Sequence, residues 1–125
     1  MVLLAGSVLS SCAGPRDPEA SLREHVEELK SRTVPSGAKV IGSSEPKVGE
    51  WSAIAKWEFE TDWSEAEYRR WVVAQLHGEF GDPKVIESRV VFLGHFNGDT
   101  ESVSAETISG PAKLHVRVSL KIYPY

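Results

Sequence analysis

The sequence predicts an α+β domain of two layers, in which two helices pack across one face of an antiparallel sheet. Two segments carry apolar residues at helical spacing, and several others alternate apolar and polar residues with a period of two. Strong turn signals join the last three alternating segments, which predicts a meander of neighbouring antiparallel strands. The predicted order of elements is α-β-β-α-β-β-β.

The first helix is predicted over residues 18–32. Asp17 stands at the N-cap position, and Pro18 occupies the first helical position, where its missing N–H costs nothing. Three apolar residues at i, i+4 and i+7 form one narrow stripe that faces the core. The stripe consists of Leu22, Val26 and Leu29.

Two strands are expected between the helices. Residues 38–43 fit a short strand, residues 44–50 fit a loop, and residues 51–61 alternate along a longer strand. The alternation is typical of a strand with one buried face. That face consists of Trp51, Ala53, Ala55, Trp57 and Phe59.

The second helix, predicted over residues 65–77, has the clearest local signature in the chain. Ser64 and Glu67 match the capping box, in which each residue hydrogen-bonds the other's backbone N–H. Gly78 is expected to end the helix. Its apolar face is predicted to contain Tyr68, Trp71, Val72 and Leu76.

A hairpin is predicted from residues 85–96 and 99–108, because Asn97-Gly98 is a strong signal for a two-residue turn. Such a turn fixes the register, and in this register apolar residues meet apolar residues and opposite charges meet. The expected pairs are Phe96 with Asp99, Phe92 with Val103, Val90 with Ala105, and Arg89 with Glu106.

A third strand of the meander is predicted over residues 114–122, after a turn at Gly110-Pro111. Its residues alternate strictly, so one face is expected to be buried and the other solvated.

Composition bounds the class of partner. The 125 residues fit one domain, and the net charge of −4 with no stripe of Lys and Arg argues against nucleic acid as a partner. A single cysteine excludes an intrachain disulfide. No apolar run reaches the roughly 18 residues that a membrane-spanning helix needs.

The N-terminus carries a short apolar segment, of the length found in secretory signals. It ends in Leu9-Ser10-Ser11-Cys12, which resembles the lipobox of bacterial lipoproteins. The resemblance implies cleavage before Cys12 and acylation of that cysteine, by a diacylglycerol and then usually by a further acyl chain such as palmitate. The lipid bilayer would then be a partner, because several acyl chains anchor a protein stably.

This resemblance divides the chain into a signal segment over residues 1–11, a lipidated tether over 12–16 and one α+β domain over 17–125. Ala13, rather than Asp, follows the cysteine, which favours the outer membrane facing the periplasm if the source is Gram-negative. The segment departs from the pattern because no Lys or Arg precedes Arg16. The alternative is a cytosolic protein with an apolar N-terminus and an incidental cysteine.

The sequence carries no recognisable catalytic or metal-binding pattern. The four histidines are not at metal-ligand spacing on one element, so no metal site is predicted. There is no nucleophile elbow and no phosphate-binding glycine loop, so no cofactor and no enzymatic activity are predicted. An unrecognised envelope enzyme would instead require Glu58, Glu60 and a histidine to converge in a cleft.

Aromatic residues are the remaining candidates for function. The aromatic residues of the long strand and of the helix after it could line a groove, because Trp and Tyr offer large contact areas with a polar atom. They are Trp51, Trp57, Trp63, Trp71, Tyr68 and Phe59, of which Trp51, Trp57, Trp71 and Tyr68 are the candidate contact residues. The favoured interpretation of Trp57, Phe59 and Trp71 is that they belong to the helix–sheet core.

The leading hypothesis is a membrane-anchored, non-catalytic binding or assembly module of the cell envelope. Its second partner would be another envelope protein, reached through a free sheet edge or an aromatic groove. A small carrier of an apolar ligand is the main alternative, and it requires a cavity of a few hundred Å³ lined by Trp57, Trp71 and Leu76.

Overall fold

A computed structural model describes residues 18–44, 46–49, 52–96, 98–110 and 112–123. Two helices and seven strands lie within these ranges, which confirms the predicted α+β class. The candidate residues Cys12 and Trp51 lie outside the described residues. The elements are α1 (Pro18–Thr33), β1 (Lys39–Ser43), β2 (Lys47–Val48), β3 (Ala53–Thr61), α2 (Glu65–Phe80), β4 (Lys84–Ile86), β5 (Arg89–Phe96), β6 (Asp99–Ser109) and β7 (Leu114–Tyr123).

All strands belong to one antiparallel sheet with the order β1-β3-β7-β6-β5-β4, and β2 pairs with β3 beside β1. The four pairs predicted for the β5–β6 hairpin are all present. β7 pairs along its length with both β3 and β6 and therefore lies in the middle of the sheet.

The core lies between the two helices and one face of the sheet. Both helices contribute their predicted apolar residues, and each central strand contributes every second residue. The side chains on the other sheet face, here called the outer face, are partly or fully exposed. The largest fully buried side chains include Trp57, Tyr68, Phe59, Phe92, Leu29, Leu76 and Leu120.

The sheet has two distinct ends. We call one the hairpin end, where Phe96 pairs with Asp99, and the other the cap end, where Thr61 pairs with Leu114. In its second turn, α1 contacts β6 close to the hairpin end, through a hydrogen bond between His25 and Glu101. α1 therefore begins at the hairpin end, whereas α2 begins at the cap end, directly after β3. Neither helix, as far as the chain is described, is long and apolar enough to cross a membrane.

The prediction of a loop over residues 44–50 was wrong for Lys47 and Val48. These two residues form β2, paired with Ile54 and Ala53 of β3. A two-residue strand is too short to show an alternation, so its partner strand rather than its own pattern determines it.

The prediction of one strand over residues 85–96 was also wrong. The chain turns at Glu87, whose φ is 53°, and β4 folds back to pair with β5. Tertiary bonds hold this turn: Arg69 donates to the Glu87 carbonyl at 3.0 Å, and the Thr107 N–H donates to the Ser88 carbonyl at 2.9 Å. The sequence Glu87-Ser88 contains no Gly, Pro, Asn or Asp, and serine alone is only a weak turn signal.

Gly78 does not end α2, contrary to the prediction. The helix continues to Phe80, and Gly81, with a φ of 73°, ends it and donates its N–H to the His77 carbonyl at 2.8 Å. The Phe80 ring packs edge-on against Phe92, with centroids 6.1 Å apart. This contact with the sheet favours one more helical turn than the glycine alone would predict.

Candidate functional site

Two of the predicted contact residues, Trp57 and Tyr68, lie in the core. Trp57 is 1% exposed, and its Nε1–H donates to Thr33 Oγ1 at 2.9 Å. Tyr68 has no exposed surface, and its hydroxyl donates to the Thr33 carbonyl at 2.8 Å. Burial raises the pKa of the Tyr68 phenol far above its usual range. Both side chains join the C-terminal end of α1 to the sheet and to α2.

The helix–sheet interface is closed where a carrier would need its cavity. Leu29, Val72 and Leu76 have no exposed surface and pack directly into the core cluster. Close packing of this kind is typical of a protein interior rather than of a ligand cavity. The residues proposed to line a carrier cavity are therefore not brought together around an open space.

Trp71 lies at the surface and forms a cleft with a tryptophan that immediately precedes α2. The rings of Trp63 and Trp71 meet edge to face, with centroids 5.5 Å apart and an angle of 81°. Together with Glu67 and Arg70 they line a cleft of about 310 Å³, which we call the aromatic cleft. Both indole rings are partly exposed, so they present aromatic surface to solvent at the cap end.

Trp63 also borders a second cleft, of about 300 Å³, between the start of α2 and the β6–β7 connection. This second cleft is lined by Asp62, Trp63, Ser64, Glu65, Gly110, Ala112, Lys113 and Leu114. Trp63 therefore borders both concave surfaces, although its indole also packs partly against the core.

The capping box fixes the aromatic cleft. The Glu67 N–H donates to Ser64 Oγ at 3.2 Å, and the Ser64 N–H donates to Glu67 Oε1 at 3.0 Å, as predicted. The bonds from the Ser64 backbone and side chain lower the pKa of Glu67. The Trp63 N–H donates to Thr61 Oγ1 at 3.3 Å. These bonds hold the backbone around the cleft, and the edge-to-face contact holds its two rings together, so the cleft is arranged before any partner arrives.

Glu58, raised above as part of a possible enzyme site, meets a histidine, His115, on the outer face. His115 Nε2–H donates to Glu58 Oε1 at 3.2 Å, and Arg117 Nε–H donates to the same oxygen at 2.9 Å. Arg117 reaches Glu106 on its other side at 3.4 Å, and Glu60 is in register with His115. We call the row Glu58, Arg117 and Glu106 the charge ladder.

The electrostatics of the charge ladder favour ion pairing. The hydrogen bond from Arg117, followed by that from His115, lowers the pKa of Glu58. A general acid or base instead requires a pKa near the working pH. The carboxylate therefore remains ionised, which suits cross-strand pairing better than proton transfer. Glu58 and Arg117 also border a shallow cleft of about 460 Å³, shared with Lys56 and the Ser43–Ser44 segment.

Sequence reasoning missed one polar pair inside the fold. Glu101 is 1% exposed, and His25 Nε2–H donates to Glu101 Oε2. The His25 ring stacks on Phe96, with centroids 4.1 Å apart and an angle of 15°. The sequence did contain a signal for Glu101. It lies two residues before Val103 in the same strand, so both side chains lie on the face toward the core.

Among the residues that the structure describes, no group of three or more histidines, cysteines or carboxylates is arranged to hold a metal ion. No protein-family profile, curated protein or solved structure matches this chain.

Proposed function

We propose that this chain is a lipid-anchored, non-catalytic binding module of the cell envelope, and that its aromatic cleft contacts another envelope protein. The observation that carries the proposal is the partly exposed Trp63–Trp71 pair at the cap end of the sheet. The lipobox at Cys12 supports the anchor, and the envelope location follows from it.

The aromatic cleft has the chemistry of a protein-binding surface. Tryptophan and arginine are enriched among the residues that contribute most to binding, especially where a concave site can be closed off from water. Arg70 and Glu67 supply opposite charges beside the rings, which gives an apolar centre with a polar rim. Because the rings are already held in place, little conformational entropy would be lost on binding.

The position of the cleft also fits an anchored module. α1 starts at the hairpin end, and five residues separate Pro18 from Cys12. A tether of five residues spans at most about 17 Å when fully extended. An anchor at Cys12 would hold the hairpin end near the membrane and leave the aromatic cleft, at the cap end, facing away from it. On an outer membrane, that direction is the periplasm.

Lipidation is tested with a Cys12→Ala variant expressed in a bacterial host. We expect the parent to incorporate labelled palmitate and to fractionate with membranes, and the variant to do neither. The anchor proposal fails if the parent carries no acyl mass and the variant still fractionates with membranes.

The binding surface is tested by affinity capture from the native envelope with the parent, with Trp63→Ala and with Ile86→Ala. Ile86 is 43% exposed on β4 and serves as a control for the loss of exposed apolar area. We expect one envelope protein to co-purify with the parent and the control, and at least tenfold less with Trp63→Ala, the scale of a hot-spot residue. Equal recovery with all three proteins would place the partner elsewhere, provided that circular dichroism shows Trp63→Ala to be folded.

A further inference from the structure

The charges on the outer face are segregated along the strands. The half toward the cap end holds the charge ladder, in which Arg117 pairs with the two carboxylates Glu58 and Glu106. The half toward the hairpin end carries four exposed lysines, although the whole chain has a net charge of −4. We call this second half the lysine face, after Lys47, Lys56, Lys84 and Lys121.

The register places these lysines in two adjacent rows across the sheet. One row is Lys47, Ile54, Lys121, Ser102 and Leu93. The next row is Lys56, Ser119, Ser104, Val91 and Lys84. Neither row contains a carboxylate, and within the described part of the chain none of the four lysines forms an ion pair. Glu45 and Glu50, which flank β2 in the sequence, lie outside that part.

The uncharged side chains of the lysine face suit the boundary between water and lipid. Ile54 is 37% exposed and Leu93 is 49% exposed, so aliphatic surface lies between the ammonium groups. The Lys121 ammonium lies 5.8 Å from the centre of the Tyr123 ring. Lysine, tyrosine and short aliphatic patches are the groups that enter the headgroup region of a bilayer together.

The lysine face lies at the end of the fold where α1 begins. His25 of α1 bonds Glu101, which is next to Ser102 of the first lysine row. Pro18 lies seven residues before His25, or about 10 Å along the helix axis. Because α1 packs on the opposite face of the sheet, the tether would have to pass around the hairpin end for an acyl group on Cys12 to enter the bilayer beside the lysines.

We propose that the lysine face binds the anionic phosphates of phospholipid headgroups, so that the tethered domain rests with this half of its sheet against the bilayer. The inference deepens the proposed function and rests on its lipid anchor. Each lysine near an anionic surface contributes about 1 kcal/mol, which corresponds to roughly a fivefold change in affinity. The tether adds to this by keeping the face at a high local concentration near the membrane.

The test uses the full chain carrying Cys12→Ala, so that no acyl chain contributes, and vesicles made from equal parts of phosphatidylglycerol and phosphatidylcholine. The variant of interest is Lys56→Gln with Lys121→Gln. The matched control is Lys39→Gln with Lys113→Gln, which removes the same charge from two exposed lysines at the cap end. The apolar residues at the N-terminus are common to all three proteins.

In co-sedimentation with these vesicles, we expect the lysine-face variant to bind about 25-fold more weakly than the parent, from about 1 kcal/mol for each lysine. The cap-end control should bind as the parent does, and vesicles of phosphatidylcholine alone should not distinguish the three proteins. Raising the salt concentration should weaken vesicle binding by the parent until it approaches that of the lysine-face variant. Since all four substituted side chains are exposed, near-ultraviolet circular dichroism should be unchanged in both variants.

If both double variants bound the vesicles equally more weakly than the parent, the binding would depend on net charge alone and the proposal would be overturned. It would also be overturned if neither variant bound more weakly. A lysine-face variant that still binds vesicles but no longer captures an envelope protein would overturn it as well, because the face would then recognise an acidic protein. Palmitate labelling separates the two levels of the argument. If the chain with Cys12 incorporates palmitate but the variants do not differ in vesicle binding, the lipid anchor stands and the lysine-face proposal is refuted. If that chain incorporates no palmitate but the variants do differ in vesicle binding, only the anchor is refuted.

Discussion

His25 and Glu101 place an imidazole and a carboxylate in the mostly apolar layer between α1 and the sheet. Removing a carboxylate from water costs several kcal/mol, and only a good hydrogen-bonding partner offsets that cost. His25 supplies this partner, and its ring packs flat on Phe96. The pair joins the second turn of α1 to a strand 76 residues later in the chain.

We predict that His25→Ala lowers the free energy of unfolding by about 3–5 kcal/mol, because Glu101 would remain buried without its partner. His77→Ala is the matched control, since His77 is 61% exposed in its ion pair with Asp82, and it should cost no more than about 0.5 kcal/mol. Urea denaturation of both variants measures the difference.

The double variant His25→Ala with Glu101→Leu should recover most of the loss, because no charge then remains buried. A single His25→Ala variant as stable as the His77→Ala control would contradict this account of the pair.

For individual residues, the sequence predicted which face of the sheet a side chain lies on better than it predicted which residue that side chain contacts. Alternation placed Trp57 and Phe59 inward, and both are fully buried. Alternation could not show that a hydrogen bond from His25 would offset the cost of burying the Glu101 carboxylate, because His25 lies on a helix far away in the sequence. Trp63 and Trp71 were both among the aromatic residues that could line a groove, but the sequence did not show that these two meet at the surface while Trp57 and Tyr68 are buried.

The two ends of α2 differ in how far the sequence determined them. The N-terminus depends on Ser64 and Glu67, which are three residues apart, so the capping box could be read from the sequence and is confirmed. The C-terminus depends on the packing of Phe80 against Phe92 of β5. The β4–β5 turn depends in the same way on Arg69 and Thr107, which lie far from it in sequence.

Two glycines provide a test of these element boundaries. Gly78 lies inside α2, and a Cβ there would have nothing within 4 Å, so Gly78→Ala should stabilise the protein by about 0.5–1 kcal/mol. A Cβ on Gly94 of β5 would lie 2.8 Å from the Phe80 ring, so Gly94→Ala should destabilise it by about 1–3 kcal/mol. Thermal denaturation of both variants checks the signs, and a destabilised Gly78→Ala protein would place the end of the helix where the sequence first suggested it.

Across the whole molecule, the order of the strands determines which charges meet. The meander of β5, β6 and β7 could be predicted because short turns join its strands. The pairing of β3 with β7 could not, since α2 and three other strands separate them in the chain. The charge ladder and the lysine face both depend on that pairing, so neither was visible in the sequence.

The charge ladder predicts a pH dependence of stability that Arg117→Gln should reduce. Arg117 and His115 lower the pKa of Glu58 in the folded state, so their contribution is present above its ordinary value of 4.5 and is lost as the pH falls through the lowered value. In the variant, the pKa of Glu58 should return toward its ordinary value.

We therefore expect Arg117→Gln to be less stable than the parent at neutral pH, and the difference to shrink as the pH falls well below 4.5. Urea denaturation across this range measures the effect, with Lys39→Gln as a control for the loss of a surface cation. A difference that is constant with pH would assign the role of Arg117 to packing rather than to charge.

Of the seven strands that the structure describes, the one in the middle of the sheet comes last in the chain. β7 joins β3 to β6, so the N-terminal half of the sheet has no hydrogen-bonded link to the C-terminal half until residues 114–123 have emerged. Contacts between such distant segments form slowly, so the sheet is completed late. The export that we propose for this chain would benefit from this delay, because a secretory channel accepts polypeptides that have not finished folding.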